Sequence, residues 1–341
     1  MLKLFVTGGA GFIGSAFIRL ALSENPDCQI INFDALTYAG NPDNLDGLDQ
    51  ARHHFVCGDI SDREAVLAAL DEGTDIIVNF AAESHVDRSI ASADEFLRTN
   101  VLGTQVLLDA ARSRGVKRFV HISTDEVMGS LPEDEAAFFT ESSPFAPNSP
   151  YAASKAAAEH LVRAASHTFG LDTVVTRCGN NYGPRQFPEK FLPLLLSNAS
   201  NDEPVPVYGD GRNVRDWIYV EDHCRAILAA LLRGRAGEVY NVGARNERRN
   251  IEVAESVLKA LGKPASLIKF VKDRPGHDRR YAIDPAKAET ELGWRPRETW
   301  ESGLEKTIRW YAENDVWVER ARSGAYREYF VKQYGQEVGA G

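Results

Sequence analysis

Tyr151 and Lys155 stand four residues apart, a spacing that puts both on one face of a helix. A lysine ammonium beside a phenol favours the phenolate, so the pair is expected to make a general base by drawing the tyrosine pKa down toward working pH. Upstream lies Ser123-Thr124-Asp125-Glu126-Val127. Two adjacent carboxylates are costly to hold together unless one keeps its proton, and an acid beside a base is what removal of water from adjacent carbons requires. Thr124 adds a hydroxyl that orients an oxygen without titrating. The plainer readings are a chance Tyr-Lys spacing and two solvated loop acids. Position argues against both, because the acids close a strand pattern and the Tyr-Lys pair opens the helix after it.

The elements that must carry these groups alternate. Leu2–Thr7, Gln29–Asp34, His54–Cys57, Ile76–Phe80, Arg118–Ser123 and Thr173–Arg177 are nearly continuous apolar runs, as in a parallel sheet covered on both faces. Amphipathic stretches separate them. Ser61-Asp62-Arg63-Glu64 is expected to cap one helix, and Val101–Arg114 and Ala152–Phe169 are two longer ones. Repeated βα units predict an α/β fold, a doubly wound Rossmann-type parallel sheet. Thr7-Gly8-Gly9-Ala10-Gly11-Phe12-Ile13-Gly14 follows the first strand and opens the first helix, satisfying G-x-G-x-x-G at Gly9, Gly11 and Gly14. In that context the glycines let backbone N–H groups approach a pyrophosphate at the helix N-terminus. Asp34, 20 residues beyond Gly14 at the end of the second strand, accepts ribose hydroxyls and repels a 2′-phosphate, which favours NAD over NADP. Asp59 and Ile60 are expected near the adenine.

Beyond about residue 180, Gly183-Pro184, Phe187-Pro188, Pro204-Val205-Pro206 and Arg274-Pro275-Gly276 punctuate shorter elements. This predicts a dinucleotide-binding domain over 1–180, with a return near 217–242, and a smaller mixed α/β substrate-binding domain over 181–341. The end, Tyr311–Gln333, carries Trp317, Tyr326, Tyr329 and Phe330 and reads as a docked helix. The 341 residues carry 39 basic and 49 acidic side chains, a net charge of −10, with 43% hydrophobic residues. That balance argues against a general nucleic-acid or anionic-membrane surface. The sequence shows no apolar run long enough to span a membrane, no signal peptide and no C-x-x-C spacing among its four cysteines. A cytoplasmic enzyme without a metal site is the expectation.

Taken together, the glycine loop and the Tyr-Lys pair resemble the extended short-chain dehydrogenase/reductase superfamily. Further segments narrow the resemblance: Leu36-Thr37-Tyr38-Ala39-Gly40-Asn41, Ala81-Ala82-Glu83-Ser84-His85-Val86-Asp87-Arg88-Ser89, the Asp125-Glu126 pair, Asn180-Asn181-Tyr182-Gly183-Pro184, Phe187-Pro188-Glu189-Lys190, Arg215-Asp216-Trp217 and Asp273-Arg274-Pro275-Gly276-His277. They run nearly end to end and resemble the dTDP-glucose 4,6-dehydratase family. The resemblance implies NAD as cofactor, held by Gly8, Gly11, Phe12, Ile13, Gly14, Asp34, Ala35, Leu36, Thr37, Asp59, Ile60, Ala81, Ala82, Glu83, Ser84, Thr99, Tyr151, Lys155 and Asn181. It implies catalytic roles for Thr124, Asp125, Glu126, Tyr151 and Lys155. A nucleotide-sugar would be held by His85, Thr124, Asn180, Lys190, Phe191, Pro206, Val207, Tyr208, Arg215, Asn250, Asp273, Arg274, Pro275, Gly276 and His277. The planar fork of Arg215 suits a pyrophosphate; the plainer reading of that arginine is a surface salt bridge. A homodimer through the two long helices is also implied, with Val101, Leu102, Val106 and Leu108 on one and Ala156, Leu161, Ala164 and Phe169 on the other.

Two positions depart from the family. It usually has tyrosine where this chain has Met128, and often serine where it has Gly179. Both are expected near the sugar. His121 and His160 read as structural histidines. A nucleotide-sugar 4-epimerase shares everything except a use for the Asp-Glu pair. A 4,6-dehydratase of a UDP- or GDP-sugar differs only in its base pocket, and a non-catalytic dinucleotide sensor would have no need of the Tyr-Lys pair.

Overall fold

In the computed structural model, which describes residues 2–133 and 136–323, the continuous apolar runs pair as a parallel sheet. Its strands are β1 (Leu2–Thr7), β2 (Cys28–Asp34), β3 (His53–Cys57), β4 (Ile76–Asn79), β5 (Arg118–Thr124) and β6 (Thr173–Cys178), joined by a later strand, Val239–Val242. In chain order that strand follows β7 (Asn180–Tyr182), β8 (Val205–Tyr208) and β9 (Val214–Tyr219), so it is β10. The order across the sheet is β10-β6-β5-β4-β1-β2-β3. Strand order therefore reverses between β1 and β4, and the crevice outside their carboxyl ends is where such a sheet takes a ligand. The remaining strands are short: β9 pairs with β7 and with β11 (Glu247–Arg249), while β8 pairs with β12 (Ile268–Val271).

Helices cover both faces of the sheet. α1 (Phe12–Glu24) and α8 (Val220–Arg233) bury Phe17, Ile18, Cys224 and Ile227 against Leu4, Val6, Val78 and Val120 on one side. α2 (Arg63–Ala69), α5 (Thr104–Ser113) and α6 (Pro150–Phe169) bury Val66, Leu107, Ala111 and Val162 against Phe5, Ile77 and Phe119 on the other. Two short helices, α3 (Val86–Ala91) and α4 (Asp94–Phe96), precede α5. α7 (Phe191–Ser200) and α9 (Asn250–Ala260) pack with β8 and β9 into a separate apolar core. α10 (Ala286–Glu291) returns to the large sheet, its Ala288 packed with Tyr240 and Ala230. α11 (Trp300–Glu313) buries Trp300 and Leu304 in the smaller core, and α12 (Asp315–Ser323) follows it.

Three details differ from expectation. The cap of α2 is Asp62, whose Oδ1 accepts the Glu64 and Ala65 N–H groups at 3.0 and 3.1 Å. Ser61 is occupied elsewhere: its N–H bonds Asp59 Oδ1 at 2.7 Å, and its hydroxyl accepts from Arg98 Nε. The helix expected from Val101 begins earlier, at Asp94, and passes through a π segment, Leu97–Gly103, before α5. An inserted residue of this kind leaves the apolar spacing intact on either side, and such bulges favour functional sites. Of the aromatic residues expected in a terminal helix, Trp317 lies in α12, while Tyr326, Tyr329 and Phe330 lie outside the described residues.

Candidate active site

The crevice at the switch point is a cavity of about 370 Å³. Its inner end is made by the glycine loop. A Cβ at Gly8 would meet the backbone of Ala81 at 2.6 Å, and one at Gly14 would meet the Gly8 carbonyl at 2.2 Å, so only glycine fits either position. No side chain caps α1, and Gly11, Phe12 and Ile13 line the cavity with the helix N-terminus open to it. Uncapped N–H groups at a helix start suit a pyrophosphate. Asp34 closes the adenosine end. Its Oδ2 accepts the Ala10 N–H at 2.8 Å and its Oδ1 the Leu36 N–H at 2.7 Å, which leaves each oxygen a lone pair for a ribose hydroxyl. A second carboxylate, Asp59, lines the same end, so a 2′-phosphate there would meet two like charges. The residues present therefore fit NAD.

Of the residues expected to hold the cofactor, all but Leu36 line this cavity. Leu36 is 1% exposed, and its side chain packs with Ala10, Leu45 and Phe55, so only its backbone serves that end. Thr99 reaches the cavity from the π segment. Phe33, Ile122, Cys178, Gln186 and Phe187 also line it and were not among the residues expected to hold the cofactor. Phe33 and Ile122 were legible as strand ends that point to the switch point. Gln186 and Phe187 carry no chemical signal of their own.

The reacting groups gather at the carboxyl end of β5. Thr124, Asp125, Glu126, Tyr151 and Lys155 all line the cavity. Ser149 caps α6 by accepting the Ala152 N–H at 3.1 Å, with Pro150 at the first helical position, and this sets Tyr151 in the first turn. Asp125 is 1% exposed; its Oδ1 accepts the Thr124 hydroxyl at 3.3 Å, and its Oδ2 is buried without a protein partner. Burial, and then the charge of Glu126, push the Asp125 carboxyl well above its ordinary range. Burial also raises Glu126, opposed by the positive charges of Arg274, Arg215 and Lys190. Asp125 thus tends to hold a proton beside a carboxylate that three cations favour as the anion.

The tyrosine differs from expectation. Burial, and then the nearby Glu126, Cys178 and Asp125, push Tyr151 well above the usual phenol range, and a hydrogen bond with Thr124 only partly offsets them. The Lys155 ammonium is engaged elsewhere: Nζ donates to the Ile122 carbonyl at 2.6 Å and lies 3.5 Å from His121 Nε2. Burial lowers Lys155 to about 8. Spacing on one helix face did not reveal that desolvation outweighs the lysine here. His121 is 1% exposed, bonded to Asn79 through Nδ1 at 3.2 Å, and held neutral by burial and by Lys155. His160 packs on the Phe145 ring at 4.6 Å between centroids.

Of the residues expected to hold a nucleotide-sugar, Thr124, Asn180 and Lys190 line the cavity. Lys190 Nζ also donates to the Ser84 carbonyl at 3.2 Å. His85 Nε2 lies 3.7 Å from Glu189, and its Nδ1 is buried without a partner. Arg215, 4% exposed, lies over the Tyr281 ring at 4.2 Å and donates to the Val214 and Asp278 carbonyls at 2.7 and 2.9 Å. It makes no ion pair among the described residues, so the salt-bridge reading does not hold. Asp87 gathers the outer residues: Tyr208 donates to its Oδ2 at 3.3 Å, and Arg274 lies 3.7 Å from its Oδ1. His277 bonds Asp273 at 2.6 Å, in the Asp273-Arg274-Pro275-Gly276-His277 turn, where Gly276 has φ +64°. Asn250 begins α9, with its N–H on the Asn213 carbonyl at 3.0 Å. Pro206 is half-buried in β8 beside Val207. Val207 is fully buried, and Phe191 packs on Trp217 in the same small core, so both shape the wall from behind.

The two departures separate. Gly179 lines the cavity. Met128 does not: it is 3% exposed, packed with Phe139, Ala156, Tyr281 and Ile283, and its Sδ accepts from Arg177 Nη1 at 3.6 Å. Arg177 is itself paired with Glu159 at 2.8 Å, both side chains 3% exposed, and Ser123 donates to Glu159 at 2.5 Å. Met128 belongs to the support behind the catalytic strand, because the 3₁₀ turn Asp125–Met128 carries its side chain away from the cavity.

A sequence model of the family described as GDP-mannose 4,6 dehydratase matches residues 5–307. A dTDP-glucose 4,6-dehydratase of Xanthomonas campestris pv. campestris is 51% identical, the match covering 96% of this chain and 98% of that protein. Among solved structures, DesIV, a dTDP-glucose 4,6-dehydratase from Streptomyces venezuelae with NAD and TYD bound, is 51% identical with a TM-score of 0.91. That match covers 94% of this chain and all of the other. A UDP-glucose 4-epimerase of Thermus thermophilus in complex with NAD is more distant: 32% identical, TM-score 0.84, covering 92% of this chain and 100% of its own. The chain belongs to the family described as GDP-mannose 4,6 dehydratase, within the extended short-chain dehydrogenase/reductases, and its relatives at 51% identity are dTDP-glucose 4,6-dehydratases.

Proposed function

We propose that this chain is an NAD-dependent hydro-lyase, a dTDP-glucose 4,6-dehydratase that forms dTDP-4-keto-6-deoxyglucose in deoxysugar biosynthesis. The carrying observation is the buried Asp125 and half-buried Glu126 beside Tyr151 in the cavity at the carboxyl end of β5. An epimerase needs the tyrosine but has no use for an acid next to a base. NAD, held along the cavity by the glycine loop, Asp34 and the residues lining it, would supply the hydride acceptor for C4 and the hydride donor for C6. Tyr151 takes the proton of the sugar 4-hydroxyl, with Thr124 holding that oxygen. The 4-keto group acidifies C5. Glu126 then removes the C5 proton, Asp125 gives its proton to the departing C6 hydroxyl, and once the hydride has returned to C6 the proton held by Glu126 goes back to C5. Arg215, Arg274 and Lys190 face the pyrophosphate and favour the anionic form of Glu126.

We read residues 1–180, with the return near 217–242 that holds α8 and β10, as the cofactor-holding unit and the rest as the nucleotide-sugar unit, with α10 packed back on the first. Of the helix residues expected at a dimer face, Val106, Leu108 and Ala156 are buried in the chain's own core, while Leu102 and Phe169, with Leu97, stand exposed, which supports a homodimer through these helices. All four cysteines are free, in keeping with a reducing compartment such as the cytoplasm. Among the described residues no helix is long and apolar enough to cross a membrane. The test is the product formed from dTDP-glucose, compared with UDP-glucose and GDP-mannose. Loss of water from dTDP-glucose, giving a 4-keto-6-deoxy sugar, is expected. A 4-epimer with no loss of water, or preferred dehydration of another nucleotide-sugar, would overturn the assignment.

A further inference from the structure

Two loops line the cofactor cavity. One follows β2 and supplies Thr37, Ala39 and Gly40; the other precedes α7 and supplies Gln186 and Phe187. They touch where the Tyr38 and Phe187 rings lie edge to face at 6.0 Å, with Arg88 over the Tyr38 ring at 3.9 Å. A dinucleotide lying in the cavity would lie against both loops.

Both loops are held from outside by α11 and α12. Trp317 on α12, 8% exposed, donates its indole N–H to Asn44 Oδ1 at 3.0 Å. Asn44 is 1% exposed and uses its other end on the glycine loop, Nδ2 donating to the Ala10 carbonyl at 2.8 Å, where the Asn41 N–H also arrives at 3.0 Å. An amide with a donor demanded at one end and an acceptor at the other is fixed in a single orientation. Tyr311 on α11 donates its hydroxyl to the Gln186 carbonyl at 2.5 Å, and Gln186 Nε2 donates to the Asn181 carbonyl at 2.9 Å. The two anchors are one unit: the Trp310 and Trp317 rings lie 5.0 Å apart, and Tyr311 and Trp317 6.2 Å. One aromatic cluster on a helical hairpin therefore grips both loops.

We propose that Trp317 and Tyr311 are positioning residues for cofactor retention: the α11–α12 hairpin straps the two loops shut and sets the rate at which NAD leaves. The inference rests on the cavity being the NAD site. It matches the proposed chemistry, in which the hydride is returned in every turnover, so release of NAD serves no step. Neither side chain lines the cavity, and neither is needed once NAD is seated.

The test uses the full chain loaded with labelled NAD and chased with excess unlabelled NAD. Trp317→Phe and Tyr311→Phe each keep a ring and remove one donor, so both are expected to fold. Loss of one neutral hydrogen bond predicts NAD release about two- to tenfold faster in each, and faster again in the double variant. Turnover of dTDP-glucose at saturating NAD is expected to stay at the level of the unaltered chain. Release rates equal to those of the unaltered chain would overturn the proposal, as would lost turnover at saturating NAD with release unchanged. The sugar product plays no part in the release measurement, so the strap and the dehydratase reading fail separately.

Discussion

Asp125→Asn separates catalysis from folding in opposite directions. Asparagine keeps the shape of the side chain and can still accept from the Thr124 hydroxyl, the one bond Asp125 makes, at 3.3 Å. What it cannot do is release a proton. Removing a positioned general acid costs about 10²–10⁴ in rate, or about 2.7–5.4 kcal/mol of barrier at 1.36 kcal/mol per decade. Tyr151, Lys155 and Thr124 are untouched, so oxidation at C4 is expected to proceed while elimination stalls, and NADH should accumulate on mixing with dTDP-glucose. The effect on stability has the other sign. A carboxyl whose folded-state pKa lies above its unfolded value stabilises fully below that unfolded value, about 3.9. The contribution is lost as pH rises through the folded value. Burial and Glu126 raise Asp125 well above its ordinary range, so at neutral pH this acid weakens the fold, and the asparagine variant should unfold at higher denaturant. That gain should shrink as pH falls toward the unfolded value. Stopped-flow absorbance of NADH and urea unfolding at two pH values read the two arms. Undiminished turnover, or no accumulation of NADH, would refute the assignment of Asp125 as the acid.

The two departures give contrasting outcomes. Gly179→Ser places a Cβ 2.6 Å from the Asp216 carbonyl, so although serine is common in the family it should destabilise this chain by about 1–3 kcal/mol in urea unfolding; an unchanged midpoint would contradict the packing. Met128→Tyr should leave kcat/KM on dTDP-glucose within a factor of about two, because residue 128 faces the Arg177–Glu159 pair and not the cavity, and should instead lower stability by overpacking; a clear rise in kcat/KM with unchanged stability would reverse that reading. Glu159→Gln leaves a buried guanidinium without its charge partner, at an expected cost of about 3–5 kcal/mol, measured by denaturation. Sedimentation at micromolar concentration should show twice the chain mass, and Leu102→Glu should shift it to one; a monomeric unaltered chain would remove the dimer.

Much of this was legible because it depends on neighbours in sequence. The parallel sheet follows from apolar runs such as Ile76-Ile77-Val78, and the glycine loop is recognised from the spacing of Gly9, Gly11 and Gly14 alone. Asp125, Glu126 and Tyr151 could be placed together because one strand end and the start of the next long helix bring them there. The rest depends on distant contacts. Nothing near Lys155 in sequence says that its ammonium will find the Ile122 carbonyl, or that burial will outweigh charge at Tyr151. The π segment at Leu97–Gly103 leaves apolar spacing intact on either side, so periodicity saw only the helix that follows. Met128 was expected at the sugar because it follows Asp125-Glu126, yet one 3₁₀ turn is enough to point successive side chains in opposite directions. Trp317 reads as a core aromatic; its bond to Asn44 spans 273 residues.

Asp34 has a consequence for any attempt to change the cofactor. The same carboxylate that disfavours a 2′-phosphate ties the Ala10 N–H of the glycine loop to the start of the following loop through Leu36. Leu36 sits at φ +51°, a strained conformation for a leucine, and its N–H takes part in that tie. Selectivity and loop geometry are therefore written in one side chain. A substitution that admits NADP by removing the charge also frees two backbone donors and loosens the turn that any dinucleotide must use. Redesign here has to supply a replacement acceptor for Ala10 and Leu36 together with a cation for the phosphate, and single substitutions at residue 34 will trade discrimination for affinity.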